Sequence, residues 1–277
     1  MAVNPLNNIL QWNLNGLRGK ITQLQCLLTK YNPEVTALQE TKMPPNEPFP
    51  EHLERKFSIV KKNRTARGGG VALMINKKLS HTKLNIATNL EAVAATIHYH
   101  NQNITVCSIY LPPQVPFPEN EFKTFISNLP QPFLILGDTN TKHSLWGSPT
   151  SDPRGIKLAQ ILNDKTLHTL NTGNPTHITL HNNSFSHIDT SICTPDLNIK
   201  FNWDTEPDLY DSDHFPIILS HNIPNLNTEI PQKWNLEKTS NTQWKKYSNA
   251  VSLPINFQDP TIACKEITDH ILETANL

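Results

Sequence analysis

Pro132-Phe133-Leu134-Ile135-Leu136-Gly137-Asp138-Thr139-Asn140 is the stretch from which the rest of the chain is best read. Its apolar run after a proline suits a buried strand. Gly137 frees the backbone, and a carboxylate and a carboxamide follow two residues apart. On an extended chain, residues i and i+2 point to the same side, so Asp138 and Asn140 are expected to face one cleft. An acid beside an amide, at the end of a buried strand, can hold a metal, a water or a phosphate. The same residues also make an ordinary Asp-Thr-Asn turn. Alone, they read more readily as that turn.

The flanking segments set this strand in a repeating order. Residues 9–15 alternate loosely as a strand, and Gly16 interrupts it. Leu17, Ile21, Leu24, Leu27 and Leu28 then recur at helical spacing through about Lys30, and Asn32-Pro33 stops that helix. Val35 to Gln39 is a short strand ending in Glu40-Thr41-Lys42, so two strands are joined through a helix. A proline-rich loop follows. The next expected strands run from Val71 to Asn76, from Ala92 to His100 and from Ile104 to Tyr110, the last two joined by a turn at Asn101-Gln102-Asn103. Glu119 to Leu129 carries a helical apolar stripe. A further helix starts through Asp152-Pro153-Arg154-Gly155. A hairpin is expected from Ile178 to His181 and Ser184 to Ile192, turning at Asn182-Asn183. Strands at residues 199–203 and Phe215 to Ser220 close the pattern. This order predicts an α/β protein, a two-sheet β-sandwich flanked by helices.

Composition narrows the function classes. The 277 residues carry 24 basic and 24 acidic side chains, so no global basic footprint for nucleic acid exists. A local one does: Arg55, Lys56, Lys61, Lys62, Arg64 and Arg67 cluster ahead of Gly68-Gly69-Gly70. It is either a solvated face or a phosphate contact. The glycines lack the lysine and hydroxyl of a phosphate loop, which leaves tight packing or a turn. Cys26, Cys107, Cys193 and Cys264 form no CxxC pair and read as reduced, buried thiols of an intracellular protein. No apolar run is long enough for a membrane span, and no secretory signal is visible. Residues 1–222 are expected to form one domain. Residues 223–277, polar and holding Trp234 and Trp244, read as a linker and the start of a following region, with a helix-like end from Ile262 to Leu277.

Polar groups stand at the ends of otherwise apolar strands: Asn13, Asn15, Glu40, Tyr110, Asp138, Asn140, Asp189, Asp213 and His214. Each has an ordinary structural explanation alone, such as a cap, a turn or a satisfied core histidine. Strand ends on one edge of a sheet converge, and convergent polar groups there mark a site. The chemistry this suggests is metal-assisted hydrolysis of a phosphate ester. A hard ion such as magnesium takes oxygen ligands and keeps several waters. Glu40 is the primary candidate ligand, with Asn13 and Asn140 as neutral partners. Asp138 could orient or deprotonate the attacking water. His214 could donate to the phosphate, oriented by Asp189 or Asp213.

These residues carry a family resemblance. WNLNG at 12–16, LQETK at 38–42, Tyr110-Leu111-Pro112, GDTN at 137–140, Ile188-Asp189 and SDHFP at 212–216 resemble the motifs of the exonuclease-endonuclease-phosphatase superfamily, in its order. The resemblance implies a four-layer α/β/β/α, DNase I-like fold. It implies Asn13 and Glu40 on the metal side, with Asp213 orienting the histidine or helping with the metal. It implies Asp138 and Asn140 as the water- and phosphate-positioning pair, Tyr110 beside the phosphate, Asp189 as the strand acid and His214 as the transition-state histidine. The cofactor it implies is Mg2+, with Mn2+ as the alternative.

RGGGVAL at 67–73 and GDTNTKHSLWGS at 137–148 resemble the endonuclease domain of LINE-type non-LTR retrotransposons. That likeness implies a nickase acting on double-stranded DNA in the nucleus. It would leave a 3′-hydroxyl for target-primed reverse transcription by a polyprotein that also binds its own RNA. Expected DNA-side residues are Asn15, Arg64, Arg67, His143, Asn182 and Asn183, with Trp146 and His143 open between DNA contact and packing. The alternatives are an abasic-site repair endonuclease, a phosphoinositide-type phosphatase of the same superfamily, and an inactive DNA-binding module.

Overall fold

Alternate residues of the central strands belong to different cores, and this parity builds the layers. In the computed structural model, which describes residues 8–221, Ile9 points into one apolar cluster while Leu10 and Trp12 point into another. Leu134 and Leu136 share the first cluster, and Phe133 and Ile135 a third. The first cluster lies between two sheets, and the other two lie beneath helices.

The first half of the chain runs β1 (Asn8–Asn13), α1 (Ile21–Tyr31), β2 (Val35–Gln39), α2 (Glu51–Lys56), β3 (Phe57–Lys62), β4 (Val71–Asn76), β5 (His81–Leu84), β6 (Glu91–Tyr99) and β7 (Gln102–Tyr110). The second runs α3 (Glu119–Ser127), β8 (Phe133–Asp138), α4 (Pro153–Asp164), β9 (His168–Thr169), β10 (His177–Thr179), β11 (Ser184–Ser186), β12 (Asp189–Cys193), β13 (Phe201–Thr205) and β14 (Ile217–His221). The sheets order as β13-β14-β1-β2-β4-β3 and β5-β6-β7-β8-β12-β9, six strands each, with β10-β11 a separate ribbon. Each large sheet is built round a parallel pair joined through a helix: β1 and β2 through α1, β7 and β8 through α3. Antiparallel strands flank each pair. The two sheets therefore repeat one plan, and both parallel pairs end their strands at the same kind of place.

Helix α1 buries Leu24, Leu27 and Leu28 against Leu10, Trp12 and Leu38 of the first sheet. Fully burying a side chain of this size is worth about 1.5–3 kcal/mol. Asn32 ends the helix in the left-handed region at φ 42°, and its N–H reaches the Leu28 carbonyl. Phe122, Phe125 and Ile126 of α3 and Leu158, Ile161 and Leu162 of α4 cover the outer face of the second sheet. Asp152 caps α4 by accepting from Gly155 N–H, with Pro153 in its first turn.

The four-layer α/β/β/α fold is the one the resemblance implied, but details differ. The turn between β6 and β7 is His100-Asn101, both at positive φ, one residue earlier than expected, because Tyr99 pairs with Gln102. The second hairpin arm does not run unbroken to Ile192. β11 stops at Ser186, and after His187-Ile188 the chain enters the second sheet as β12, whose inner face needs Ser191 and Cys193. The expected strand at 199–203 starts only at Phe201, and Ile199 is exposed. Cys26 lies on the exposed side of α1, unlike buried Cys107 and Cys193. The strands β3, β5 and β9 and the helix α2 escaped the sequence reading; β3 lay inside the basic run. Cys264, the segment 223–277 and its expected terminal helix lie outside the described residues.

Gly137 has a packing role between the two parallel strands. A Cβ there would stand 2.0 Å from the Ile109 carbonyl oxygen. Gly137→Ala must therefore push β7 from β8. It should cost about 3 kcal/mol or more in urea unfolding. An unchanged midpoint would show that the strands can part freely.

Candidate active site

Along each central strand, the face between the sheets turns from apolar to polar toward one end. Ile9 gives way to Gln11 and Asn13, and Ala37 to Gln39. Val106 gives way to Ser108 and Tyr110, and Leu136 to Asp138. On antiparallel β12 the order reverses, from Cys193 through Ser191 to Asp189. The period of two thus carries the polar residues to one edge. Glu91, Tyr110, Asp138 and Asp189 stand in a single register row across four strands of the second sheet.

The two sheets meet through these groups. Asn13 Nδ2 donates to Asp138 Oδ2 at 2.9 Å and lies 3.3 Å from both Glu40 Oε1 and His214 Nε2. His214 Nδ1 and Asp189 Oδ2 are 2.8 Å apart, and both side chains are buried. Behind the histidine, Ser212 Oγ donates to the Asn13 carbonyl and accepts from His214 N–H, while Trp12 Nε1 donates to the His214 carbonyl. Asp213 accepts from Asn15 Nδ2 at 3.1 Å. Glu40, Asn13, Asp138, Asp189, Asp213 and His214 therefore come together.

Asn140 is placed differently from the expectation of an extended chain. β8 ends at Asp138, and Asn140 is left-handed at φ 48°. Its backbone N–H donates to Asp138 Oδ1 at 2.9 Å, and its side chain donates to the Leu111 carbonyl. The turn thus forms within the site. Asn15 and Glu40 are also left-handed, at φ 52° and 49°. Such values in non-glycine residues carry a local cost that the surrounding structure must hold.

Glu40 and Asn15 offer oxygens that suit a hard cation. Lys42 Nζ lies 3.3 Å from Glu40 Oε2 and also contacts Asn15 Oδ1, so a positive charge already sits between them. The second group able to surround an ion is Asp138, Asp189 and His214. Tyr110 lies beside Glu40 and Asp138, and burial with those two carboxylates pushes its phenol up. The Arg64 guanidinium lies 5.9 Å from the Tyr110 ring centre and pairs with Glu91 at 2.5 Å.

Charge in this pocket is strongly redistributed. Burial, and then the Asp189 carboxylate, push the Asp138 carboxyl far above the usual range, against the pull of His214 and the Asn140 N–H. Burial pulls the His214 imidazole down, but Asp189, Asp138 and Asp213 outweigh it and raise it to about 9. A histidine held this way stays cationic at neutral pH.

The chain has relatives of known kind. Residues 104–218 match the family model described as endonuclease-reverse transcriptase. The probable RNA-directed DNA polymerase of transposon X-element from Drosophila melanogaster is 28% identical over 97% of this chain and 30% of its own length. The RNA-directed DNA polymerase of the mobile element jockey from the same fly is 30% identical over 62% of this chain and 19% of its own length. Both of these relatives are RNA-directed DNA polymerases of mobile elements. The chain spans less than a third of the length of either. Among solved structures, the endonuclease domain of TRAS1, a telomere-specific non-LTR retrotransposon, superposes with a TM-score of 0.66 at 22% identity, over 79% of this chain and 99% of that one. An AP endonuclease from Archaeoglobus fulgidus gives 0.65 at 15% identity, over 79% and 100%. The fold is thus that of the AP endonucleases.

Several expected outer residues have other duties. His143 Nδ1 accepts from Leu145 N–H, capping a short helical turn. Trp146 is wholly buried and donates to the Thr141 carbonyl, so it packs. The basic run disperses: Arg55 pairs with Glu51, and Lys61 and Lys62 donate to backbone carbonyls. Arg67 remains exposed. Asn182 and Asn183 sit exposed at the β10-β11 tip, where Asn183 is left-handed at φ 52°. The glycine run packs on the strand end of Glu40: Thr41 and Lys42 donate to the carbonyls of Gly70 and Gly69, and a Cβ on Gly70 would meet Thr41 Oγ1 at 2.6 Å.

Two residues were missed. Arg154 donates to the carbonyls of Thr139, Asn140, Leu111 and Val115, tying the Asp138 turn to the segment after Tyr110. Its place just inside a capped helix was visible, but its targets are backbone and carry no sequence signal. His177 stacks edge-on over His214 with ring centres 4.7 Å apart. Its pairing with the His214 segment is a long-range bridge that leaves no local sequence signal.

The raised groups set a pH dependence. Stability contributed by His214 is fully present below pH 6.5 and lost as pH rises through about 9. The raised Asp138 carboxyl acts in the same direction, losing its contribution as it ionises. In chelator, the urea midpoint should fall steadily between pH 6.5 and 9, and His214→Ala should flatten that slope. A midpoint that climbs over this range would contradict the charge arrangement. Arg154→Met should cost about 1–3 kcal/mol, since several carbonyls lose their donor.

Proposed function

We propose that this chain nicks one strand of double-stranded DNA in a magnesium-dependent reaction and leaves a 3′-hydroxyl that primes reverse transcription. The observation that carries this reading is the meeting, across two sheets, of an amide-held carboxyl and a carboxylate-held imidazole: Asn13 on Asp138 at 2.9 Å and Asp189 on His214 at 2.8 Å. The priming role is supported by the likeness to retrotransposon polymerases, and manganese would serve in place of magnesium.

Glu40 and Asp213 would hold the ion, which would supply positive charge at the scissile phosphate, while Asn13 beside them braces Glu40 and Asp138 through its amide N–H. Asp138 accepts a hydrogen bond from the attacking water, while the turn at Asn140 fixes the direction of that carboxyl and borders the phosphate. Water adds to phosphorus as its bond to the 3′-oxygen breaks. The products are a 5′-phosphate and a 3′-hydroxyl. The His214 imidazolium, oriented by Asp189, donates to a phosphate oxygen as negative charge builds. Tyr110 donates to the same phosphate. Asn15, Arg64, Arg67 and the tip residues Asn182 and Asn183 border the path of the duplex, whereas His143 is engaged in capping. The element's own RNA would be bound by the rest of the polyprotein, and the site of action is the nucleus.

Plasmid nicking tests this. Chelator should abolish it and magnesium restore it. His214→Ala and Asp138→Ala should each slow it by about 10²–10⁴-fold. The nicked ends should be extended directly by a polymerase. Cleavage of abasic duplex alone would favour a repair endonuclease, and a folded protein that nicks nothing would overturn the reading. Because phosphate contacts release counterions, DNA binding should weaken steeply with salt.

A further inference from the structure

Beside the Glu40 group lies a second cluster, of different chemistry. His177, Asp213 and His214 each place one potential ligand atom within 4.8 Å of the others. The ribbon carrying His177 is tied to the histidine loop by backbone. Ile178 N–H donates to the Asp213 carbonyl at 2.8 Å and Phe215 N–H to the Thr176 carbonyl at 2.9 Å. The cluster is thus set by main-chain pairing and not by free side chains.

Both imidazoles are prepared in the same manner. His214 Nδ1 is held by Asp189 at 2.8 Å, and His177 Nδ1 by Ser186 Oγ at 2.9 Å. Each ring therefore has its Nδ1 engaged by an oxygen, while His214 Nε2 lies 3.3 Å from Asn13 Nδ2 and 3.8 Å from Asp138 Oδ2. His177 Nε2 lies 3.9 Å from Asp213 Oδ2. A ligating histidine whose other nitrogen meets an oxygen partner is the usual outer arrangement of zinc sites. Two imidazoles and one carboxylate, completed by a water, suit a tetrahedral borderline cation better than magnesium, which prefers oxygen and six ligands.

We propose that His177, Asp213 and His214 form a zinc-class binding site overlapping the hydrolytic site. Its occupant is a transition cation of zinc or cobalt(II) type. Because the ion must displace the proton that His214 would otherwise donate to phosphate, and releases it to solvent, occupancy and hydrolysis exclude each other. That consequence rests on the proposed nicking reaction, while the binding site itself does not.

Cobalt(II) titration of the DNA-free protein tests the site directly. One equivalent should produce the intense visible absorption of a four-coordinate ion, which excess zinc removes and excess magnesium leaves. His177→Ala should lose the band. His177→Cys should regain it with an added thiolate charge-transfer band, showing that the variant folds and that position 177 is a ligand. Ser186→Ala should weaken zinc binding by about 10–100-fold, as loss of an outer partner does. No band, or one undiminished in His177→Ala, overturns the site. A band with full magnesium-supported nicking in saturating zinc overturns the overlap alone. Absence of nicking in every condition would instead indict the proposed function.

Discussion

The hydrogen bond from Asn13 to Asp138, 2.9 Å long, joins one sheet to the other at the edge where the site lies. Asn13 closes a strand of the first sheet and Asp138 one of the second. The Asp189–His214 pair spans the same divide, since β12 belongs to the second sheet and the segment after His214 feeds β14 of the first. Neither sheet alone contains a working set of groups. The site exists only when the apolar faces between them close, so core packing and chemistry are one constraint.

The interior prepares for this gradually. Between the apolar centre and the charged edge stands a polar rank: Ser191 Oγ donates to Gln11 Oε1 and accepts from Trp203 Nε1, and Gln39 Nε2 donates to Ser108 Oγ. A buried carboxylate beside Leu or Val would be expensive unless paired. The step through Gln, Ser and Asn supplies donors that hold the acids in place. Burial still holds the Asp138 carboxyl above its ordinary range, so part of that cost remains. A positive charge brought near it would relieve it.

Much of this was legible because period-two alternation and strand-end polarity are local signals. The parallel-pair starts, Val35 to Gln39, the α3 stripe and the α4 cap were visible, and so was the convergence of Asn13, Glu40, Asp138, Asp189 and His214. What stayed hidden depends on tertiary pairing. The break between Ser186 and Asp189 is forced by the chain leaving one ribbon to join another sheet. The duty of Arg154 is to carbonyls, which every residue has. The basic run dispersed because helix and strand turn successive side chains to different partners. His177 joined His214 only through an antiparallel bridge between distant segments.

For Asp138-Thr139-Asn140, a turn and a site first stood as alternatives. The two coincide. The Asn140 N–H that makes the turn is also a donor to Asp138, and its left-handed backbone is what aims that donor inward. Glu40 and Asn15 repeat the device, each left-handed just beyond a strand of the first sheet. Thr139 fills the wall behind, its hydroxyl shared with Thr141, Thr190 and the Ile188 carbonyl. At each of these strand ends the chain leaves its ladder to point polar groups at one place. The sheets on either side are rigid enough to hold those conformations. A looser scaffold would let the turns relax, and the carboxyls would drift to solvent.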